Sequence, residues 1–185
     1  PNSRSSHGIP TVTGMGVLIP IAVLVYYLWQ PESLNWGFVF GFTIVSVISF
    51  IDDVYFLKHS LRLIFQCIGL GLMISHFPFQ STGIEAIAIG SAGLLLGIGV
   101  INAYNFMDGV NGMLTLHSIL VLLSLLFLNE SLVDFENKAR PFTDSDFIIN
   151  IIIPLAIFAI FNVRVHAKAF IGDVGAISIA FLILY

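Results

Sequence analysis

Long apolar runs separated by short polar segments dominate this sequence and limit the folds open to it. Each run is slightly shorter than the roughly 20 residues that cross a bilayer as a helix, although flanking residues can extend it. The chain is 57% hydrophobic and 10% charged, which is more apolar surface than a soluble protein of 185 residues could bury. The sequence therefore predicts an all-α, polytopic transmembrane helical bundle. Its six apolar segments are Gly14–Trp29, Trp36–Ile51, Leu63–Phe77, Ile87–Ile101, Met113–Leu128 and Phe147–Phe161, and a truncated seventh begins at Ala176.

We expect residues 1–185 to form a single integral-membrane domain that is incomplete at both ends. The sequence opens in a polar motif without the pattern of a signal peptide, and it stops within an apolar run. The single cysteine, Cys67, excludes an internal disulfide and a cysteine-based metal site. The formal net charge of −4 argues against nucleic acid as a partner.

Alternation of the segments across a membrane sorts the polar segments into two sets. One side receives residues 1–13, 52–62, 102–112 and 162–175, and the other receives 30–35, 78–86 and 129–146. Most of the lysines and arginines belong to the first set, namely Arg4, Lys58, Arg62, Arg164 and Lys168. The positive-inside bias therefore places the first set in the cytoplasm.

Four aspartates belong to this cytoplasmic set, and each adjoins an apolar run. Ionisable groups at the edge of a bilayer are costly and usually functional when they face the interior of the bundle. A hairpin of two segments separates consecutive cytoplasmic segments, so the polar groups can converge on one face. Carboxylate and phosphate oxygens are the ligands that Mg²⁺ prefers, and these side chains therefore suggest a divalent cation site. The four are Asp52, Asp53, Asp108 and Asp173.

The segment Asn102–Gly112 places amides, one carboxylate and two glycines directly after an apolar run, which suits a loop that holds a metal ion and a phosphate. Asp52 and Asp53 end the second run, where like charges oppose the helix dipole. They are either a polar stop or a pair in which one carboxylate acts as a base or phosphate organiser and the other supports it. Asp173 is either a helix N-cap or a metal ligand at a helix start whose N–H groups face a phosphate.

The basic residues on this side allow a phosphate-bearing substrate, because arginine can bind phosphate through two donors. Arg164 alone is better explained as a membrane anchor. His117 lies within an apolar run and is expected to be packed, neutral and hydrogen-bonded. Other phosphate contacts are suggested at Lys58, Arg62, Lys168, His59 and His166.

Four motifs in order resemble the polyprenyl-phosphate N-acetylhexosamine-1-phosphate transferases of bacteria, within glycosyltransferase family 4. The opening Arg4-Ser-Ser-His7 is similar to the glycan-initiating branch. The matching positions are Pro1, Asn2, Arg4–His7, Pro10 and Thr11; Asp52, Asp53, Leu57, Arg62, Leu63 and Gln66; Asn102, Asn105–Gly109, Asn111 and Gly112; and Asn162, Ala167, Lys168, Gly172, Asp173 and Gly175.

The resemblance implies a reaction in which a UDP-N-acetylhexosamine donates its sugar 1-phosphate to a polyprenyl (undecaprenyl) phosphate and UMP is released. This is the first membrane step of cell-envelope polysaccharide or O-antigen synthesis, and it uses Mg²⁺, with Mn²⁺ as an alternative. The resemblance also implies an active site on the cytoplasmic face of the inner membrane and a protein that can form a homodimer. The implied catalytic residues are Asp52, Asp53 and Asp108, and Asp173 and Asp108 are the implied metal ligands. The implied substrate-binding residues are Arg4, Ser6, His7, Lys58, Arg62, Asn102, Asn105, Asn111 and Lys168.

The sequence departs from the family pattern in three respects and leaves two other functions open. Asn111 stands where many members carry a second aspartate, Met15 interrupts a glycine cluster, and the family's histidine-rich loop would lie beyond Tyr185. A cation-coupled transporter would hold its carboxylates near the middle of the membrane. An intramembrane aspartate protease would explain Gly172-Asp173 but would leave the Asn-Phe-Met-Asp-Gly segment unexplained.

Overall fold

A computed structural model of the chain describes residues 13–76, 83–135 and 143–185, and these ranges are helical with short connections. The prediction of an all-α fold is confirmed. A 3₁₀ turn at Met15–Val17 precedes the first helix. The helices within these ranges are α1 (Leu18–Trp29), α2 (Trp36–Tyr55), α3 (His59–Ser75), α4 (Ile84–Met107), α5 (Met113–Phe135), α6 (Ser145–Asn162) and α7 (Gly172–Leu184).

Four helices in the described part of the chain are long and apolar enough to cross a membrane. They are α2, α4, residues Met113–Ser131 of α5, and α6. The turn before α1 together with α1, and the helices α3 and α7, are apolar but shorter. The helical membrane bundle is therefore confirmed, whereas the predicted count of six spans is not.

Helix α7 lies in the centre of the bundle and is the most completely buried of the described helices. Every residue from Val174 to Leu182 is buried, and α7 packs against α1, α2, α4 and α5. The helix begins at Gly172, four residues before the apolar run predicted from Ala176. Its buried residues are surrounded by the other helices of the bundle.

Small residues let the helices around α7 approach closely. A Cβ atom at Gly16 would overlap the backbone of Ile171 and Gly175, and one at Gly41 of α2 would overlap the carbonyl oxygen of Gly69 on α3. Close approach of backbones at small residues is how helices gain van der Waals contact inside a membrane, where no hydrophobic effect drives them together. These contacts fix the 3₁₀ turn on α7 and α2 on α3.

Several polar positions predicted as loops belong to helices. Helix α4 continues past Ile101 to Met107, so Asn102 and Asn105 lie in its last two turns. The Asn102 amide donates to the carbonyl oxygen of Ile98 at 2.8 Å, which satisfies this polar side chain within its own helix. Asp52 and Asp53 lie in the last turn of α2, whose C-cap is Phe56, a residue with φ of 51°. The side chains of interest are therefore held by helix ends.

Replacing Gly41 by alanine should lower thermal stability, because its Cβ would overlap the backbone oxygen of Gly69 and force α2 and α3 apart. Overpacking of this kind costs about 1–3 kcal/mol. Gly71→Ala is the matched control, since a Cβ at Gly71 meets no atom within 4 Å and alanine favours the helix. Thermal unfolding of the two variants in detergent measures the difference. Equal unfolding temperatures would show that this helix contact is not tight.

Candidate active site

Arg62 joins two aspartates that come from different helices. Its Nη1 atom lies 2.7 Å from Asp52 Oδ2 at the end of α2 and 2.6 Å from Asp173 Oδ2 at the start of α7. The Asp52 side chain is 6% exposed, and that of Arg62 is 15% exposed. An ionised carboxylate is strongly disfavoured in a buried position unless it is paired. The guanidinium therefore allows α2, α3 and α7 to bring their charged ends together.

Asn105 extends this cluster to α4. With its amide oxygen facing the arginine, its Nδ2 donates to Asp173 Oδ1 at 2.9 Å and its Oδ1 accepts from Arg62 Nη2 at 2.5 Å. The other oxygen of Asp52 accepts the backbone N–H of Leu57 at 2.5 Å, which closes the turn between α2 and α3. Of the four polar segments predicted to converge, residues 52–62, 102–112 and 162–175 thus meet in side-chain contacts.

Asp53 caps the amino end of α7. Its Oδ1 accepts the backbone N–H of Asp173 at 2.9 Å, and its Oδ2 accepts that of Val174 at 3.0 Å. Gly172 has a φ of 75°, and a Cβ there would lie 2.7 Å from Asp53 Oδ2. Glycine is therefore required for this approach.

These contacts revise two interpretations of the helix start. Asp173 is the second residue of α7 and not its N-cap, which is Ile171, and no side chain of the cap residue bonds to the helix. The N–H groups of Asp173 and Val174, expected to face a phosphate, are bonded to a carboxylate of the chain itself. Helix N-termini attract anions, and here the anion is the Asp53 side chain.

Asp108 is the C-cap of α4 and lies against the start of α7, where it accepts the backbone N–H groups of Ile171 and Gly172. Burial raises the pKa of its carboxyl to about 6, and the neighbouring charge of Asp53 acts in the same direction. The backbone N–H groups of Gly172 and Ile171 lower that pKa and limit the rise. Neither of the two ion pairs found in the described ranges involves Asp108. Its contacts in the described ranges are therefore with backbone N–H groups and not with a cationic side chain.

Asn162, a buried residue at the end of α6, fixes the two segments that carry Asp108 and Asp173. Its Oδ1 accepts the backbone N–H of Gly112 at 2.8 Å and the hydroxyl of Thr115 at 3.2 Å, and its Nδ2 donates to the carbonyl oxygen of Ala169 at 3.0 Å. The sequence places Asn162 in a motif but does not assign it a role. An amide directly after an apolar run was the signal available.

The remaining predicted residues are further from these contacts or lie elsewhere. The Asn111 amide donates to the carbonyl oxygens of Arg164 and Val165 at 3.3 and 3.4 Å. Lys58 and Lys168 are exposed, as are His59 and His166. His117 is exposed on α5, 5.5 Å from the Tyr104 ring, so the expectation that it is packed is wrong. Arg4, Ser6 and His7 lie outside the described residues.

The sequence suggests a divalent cation site among the four aspartates, with Asp108 and Asp173 as the ligands that the resemblance implies. Within the described ranges, no three His, Cys, Asp or Glu side chains are grouped as the ligands of one metal ion. Asp52 and Asp53 are committed to Arg62, Leu57 and the start of α7. Mg²⁺ usually binds through only one or two protein carboxylates, together with water and substrate phosphates. Asp108 and Asp173 are two carboxylates and so meet that number, and the two oxygens of Asp173 also have donors in Arg62 and Asn105.

The position of the cluster separates the functions left open by the sequence. All four aspartates lie at or next to helix ends, and α2 and α4 are continuous helices. Transporter sites usually form at broken helices near the middle of the membrane. The arrangement of carboxylates, an arginine and amides at the end of a membrane bundle instead suits the binding of phosphate groups with a divalent cation.

Comparison with known proteins finds one family model and two relatives. The sequence model of glycosyl transferase family 4 matches residues 35–185. Two curated relatives, the phospho-N-acetylmuramoyl-pentapeptide-transferases of two strains of Streptococcus thermophilus, are each 26% identical over 200 aligned positions. The alignments cover 93% of this chain and 56% of each relative, so the chain spans about half the length of these proteins.

Replacing Asp108 by asparagine should stabilise the fold more at pH 8 than at pH 5. Because the pKa is raised from 3.8 to about 6, folding favours the protonated carboxyl, and this stabilisation is lost as the pH rises through about 6. An amide does not ionise, so the variant avoids that loss. Thermal unfolding of native and variant protein at both pH values tests this, with exposed Asp146→Asn as the control for removing a carboxylate. The same difference at both pH values would contradict the burial of an ionisable Asp108.

Proposed function

Because the chain belongs to glycosyl transferase family 4, we propose that it transfers a sugar 1-phosphate from a UDP-sugar to a polyprenyl phosphate and releases UMP. The observation that carries this proposal is the convergence of Asp52, Asp53, Asp108 and Asp173 with Arg62 and Asn105 at one end of an apolar helical bundle. Both substrates carry phosphate, and one of them is a lipid. A charged site at the end of membrane helices suits that pair.

For the donor, we propose a UDP-N-acetylhexosamine, and for the pathway, the first membrane step of cell-envelope polysaccharide or O-antigen synthesis. The Arg4-Ser-Ser-His7 motif supports the glycan-initiating branch. Similarity to two phospho-N-acetylmuramoyl-pentapeptide-transferases supports transfer of a phosphorylated N-acetyl sugar. The distribution of lysine and arginine supports a site on the cytoplasmic face of the inner membrane. We also propose that the protein forms a homodimer.

The reaction we propose is direct attack. An oxygen of the polyprenyl phosphate attacks the sugar-linked phosphorus of the donor, the bond between that phosphorus and the bridging oxygen of the diphosphate breaks, and UMP leaves with the bridging oxygen. The acceptor phosphate is already an adequate nucleophile, so the enzyme's task is to position both groups and offset their charge. A covalent enzyme intermediate is not required.

The four aspartates divide into metal ligands and positioning residues in this proposal. Asp108 and Asp173 would hold Mg²⁺, or Mn²⁺, which offsets negative charge on the donor diphosphate. Asp52 already bonds Leu57 and Arg62 through its two oxygens, which supports a role in positioning rather than as a free base. Asp53 orients the amino end of α7 and so the carboxylate of Asp173. Lys58 and Lys168 remain candidates for contacts with substrate phosphates.

Changing Asp108 or Asp173 to asparagine in the whole protein should reduce transfer at least about a hundredfold, the loss typical of removing one group that stabilises transition-state charge. The assay follows radiolabelled sugar phosphate from each of several UDP-sugars into polyprenyl phosphate in membranes. Asp146→Asn is the matched control, because Asp146 is exposed in the first turn of α6, on the opposite side of the predicted topology. Near-normal product from both site variants would refute these roles, and the preferred donor identifies the sugar.

A further inference from the structure

We propose that Arg62 and a divalent cation compete for Asp173, so that the arginine closes the metal site when no cation is bound. This inference rests on the proposed function, because it takes Asp173 as a ligand of the ion. It concerns a different property, namely what occupies that carboxylate before the ion arrives.

The Asp173 carboxylate already contacts two side chains of the protein. Its Oδ2 lies 2.6 Å from Arg62 Nη1, and its Oδ1 lies 2.9 Å from the Asn105 amide nitrogen. Each oxygen thus already has a donor within hydrogen-bond distance, and one donor is positively charged. A cation that binds this carboxylate must share or displace the guanidinium, because two positive charges at such distances repel one another.

Arg62 has a second carboxylate partner besides Asp173. The same Nη1 atom lies 2.7 Å from Asp52 Oδ2, so the arginine has a second carboxylate to pair with if it leaves Asp173. Asp52 is nearly buried and is held by the backbone N–H of Leu57. The arginine therefore need not become an unpaired buried charge, and its displacement from Asp173 is not prohibitive.

The ion pair between Arg62 and Asp173 is partly buried. The Arg62 side chain is 15% exposed and that of Asp173 is 25% exposed, so solvent screens this ion pair less than it would screen one on an open surface. Hydrogen bonds to charged groups are among the stronger contacts in proteins. The arginine is consequently a substantial competitor, and removing it should tighten binding of the ion.

The test measures binding of Mn²⁺ alone to the purified full-length protein, without lipid or nucleotide, by the loss of the electron paramagnetic resonance signal of free Mn²⁺. In Arg62→Gln, the dissociation constant should fall about tenfold or more, as expected when one charge-assisted contact no longer competes. Unfolding temperature gives a second readout: with a chelator Arg62→Gln should unfold at a lower temperature than the native protein, and added Mn²⁺ should raise it more.

Two matched variants separate competition from a general change in charge. Arg164→Gln makes the same substitution at an exposed arginine whose Nε donates to the carbonyl oxygen of Ile160, and it should change the dissociation constant by less than about twofold, since exposed charges are well screened. In an Asp173→Asn background, Arg62→Gln should no longer tighten binding. If Arg62→Gln does not fold, Arg62→Lys keeps the charge but loses the forked geometry, and it should tighten binding to a smaller extent.

Mn²⁺ binding that is unchanged or weaker in Arg62→Gln would overturn the inference. The same holds for Arg62→Lys if only that variant folds. Weaker binding would show that Arg62 supports the metal ligand. Equal tightening in Arg164→Gln would also overturn it, as would the absence of Mn²⁺ binding in every variant. Transfer activity is measured separately. Tighter binding in a protein that transfers no sugar phosphate would sustain this inference while the proposed function fails, and an active enzyme with unchanged binding would show the reverse.

Discussion

The pairing of Arg62 with Asp52 and Asp173 is the interaction on which the charged end of this bundle depends. These side chains come from three helices and meet in a setting where a lone ionised group is strongly disfavoured. Breaking such a pair by removing one partner leaves an uncompensated charge, which is far more damaging than the loss of a surface contact. Asn105 brings α4 into the same cluster. The relative positions of four helix ends are therefore set by one guanidinium and its partners.

Packing and chemistry meet at the amino end of α7. The close contact of Gly16 with Gly175 and the burial of Val174 through Leu182 hold this helix in the centre of the bundle. Asp53 then bonds two of its first N–H groups, which otherwise have no partner within a helix. The direction of the Asp173 side chain follows from both constraints. A substitution in the packed part of α7 would thus be felt at the site without touching it.

The sequence predicted the helical bundle and the convergence of its polar segments, because both follow from the order of apolar runs and polar segments along the chain. It could not distinguish Asp52 from Asp53. Neighbouring residues on a helix point about 100° apart, so one faces Arg62 on α3 and the other faces α7. Partners such as Asp53 and Val174 are separated by 121 positions, and no local pattern encodes that pairing. The helical state of Asn105 was missed because its polarity resembles that of a loop.

The charge of the cluster explains why a cation belongs in the proposed chemistry. Four aspartates and one arginine leave three formal negative charges when every group is ionised. The raised pKa of Asp108 reflects the burial that makes one of those charges unfavourable. Two phosphate-bearing substrates would be repelled by such a site unless positive charge accompanied them. A divalent ion bound by Asp108 and Asp173 would supply that charge, and the arginine beside Asp173 would keep the empty site from being still more negative. The same residue would then limit how tightly the ion binds.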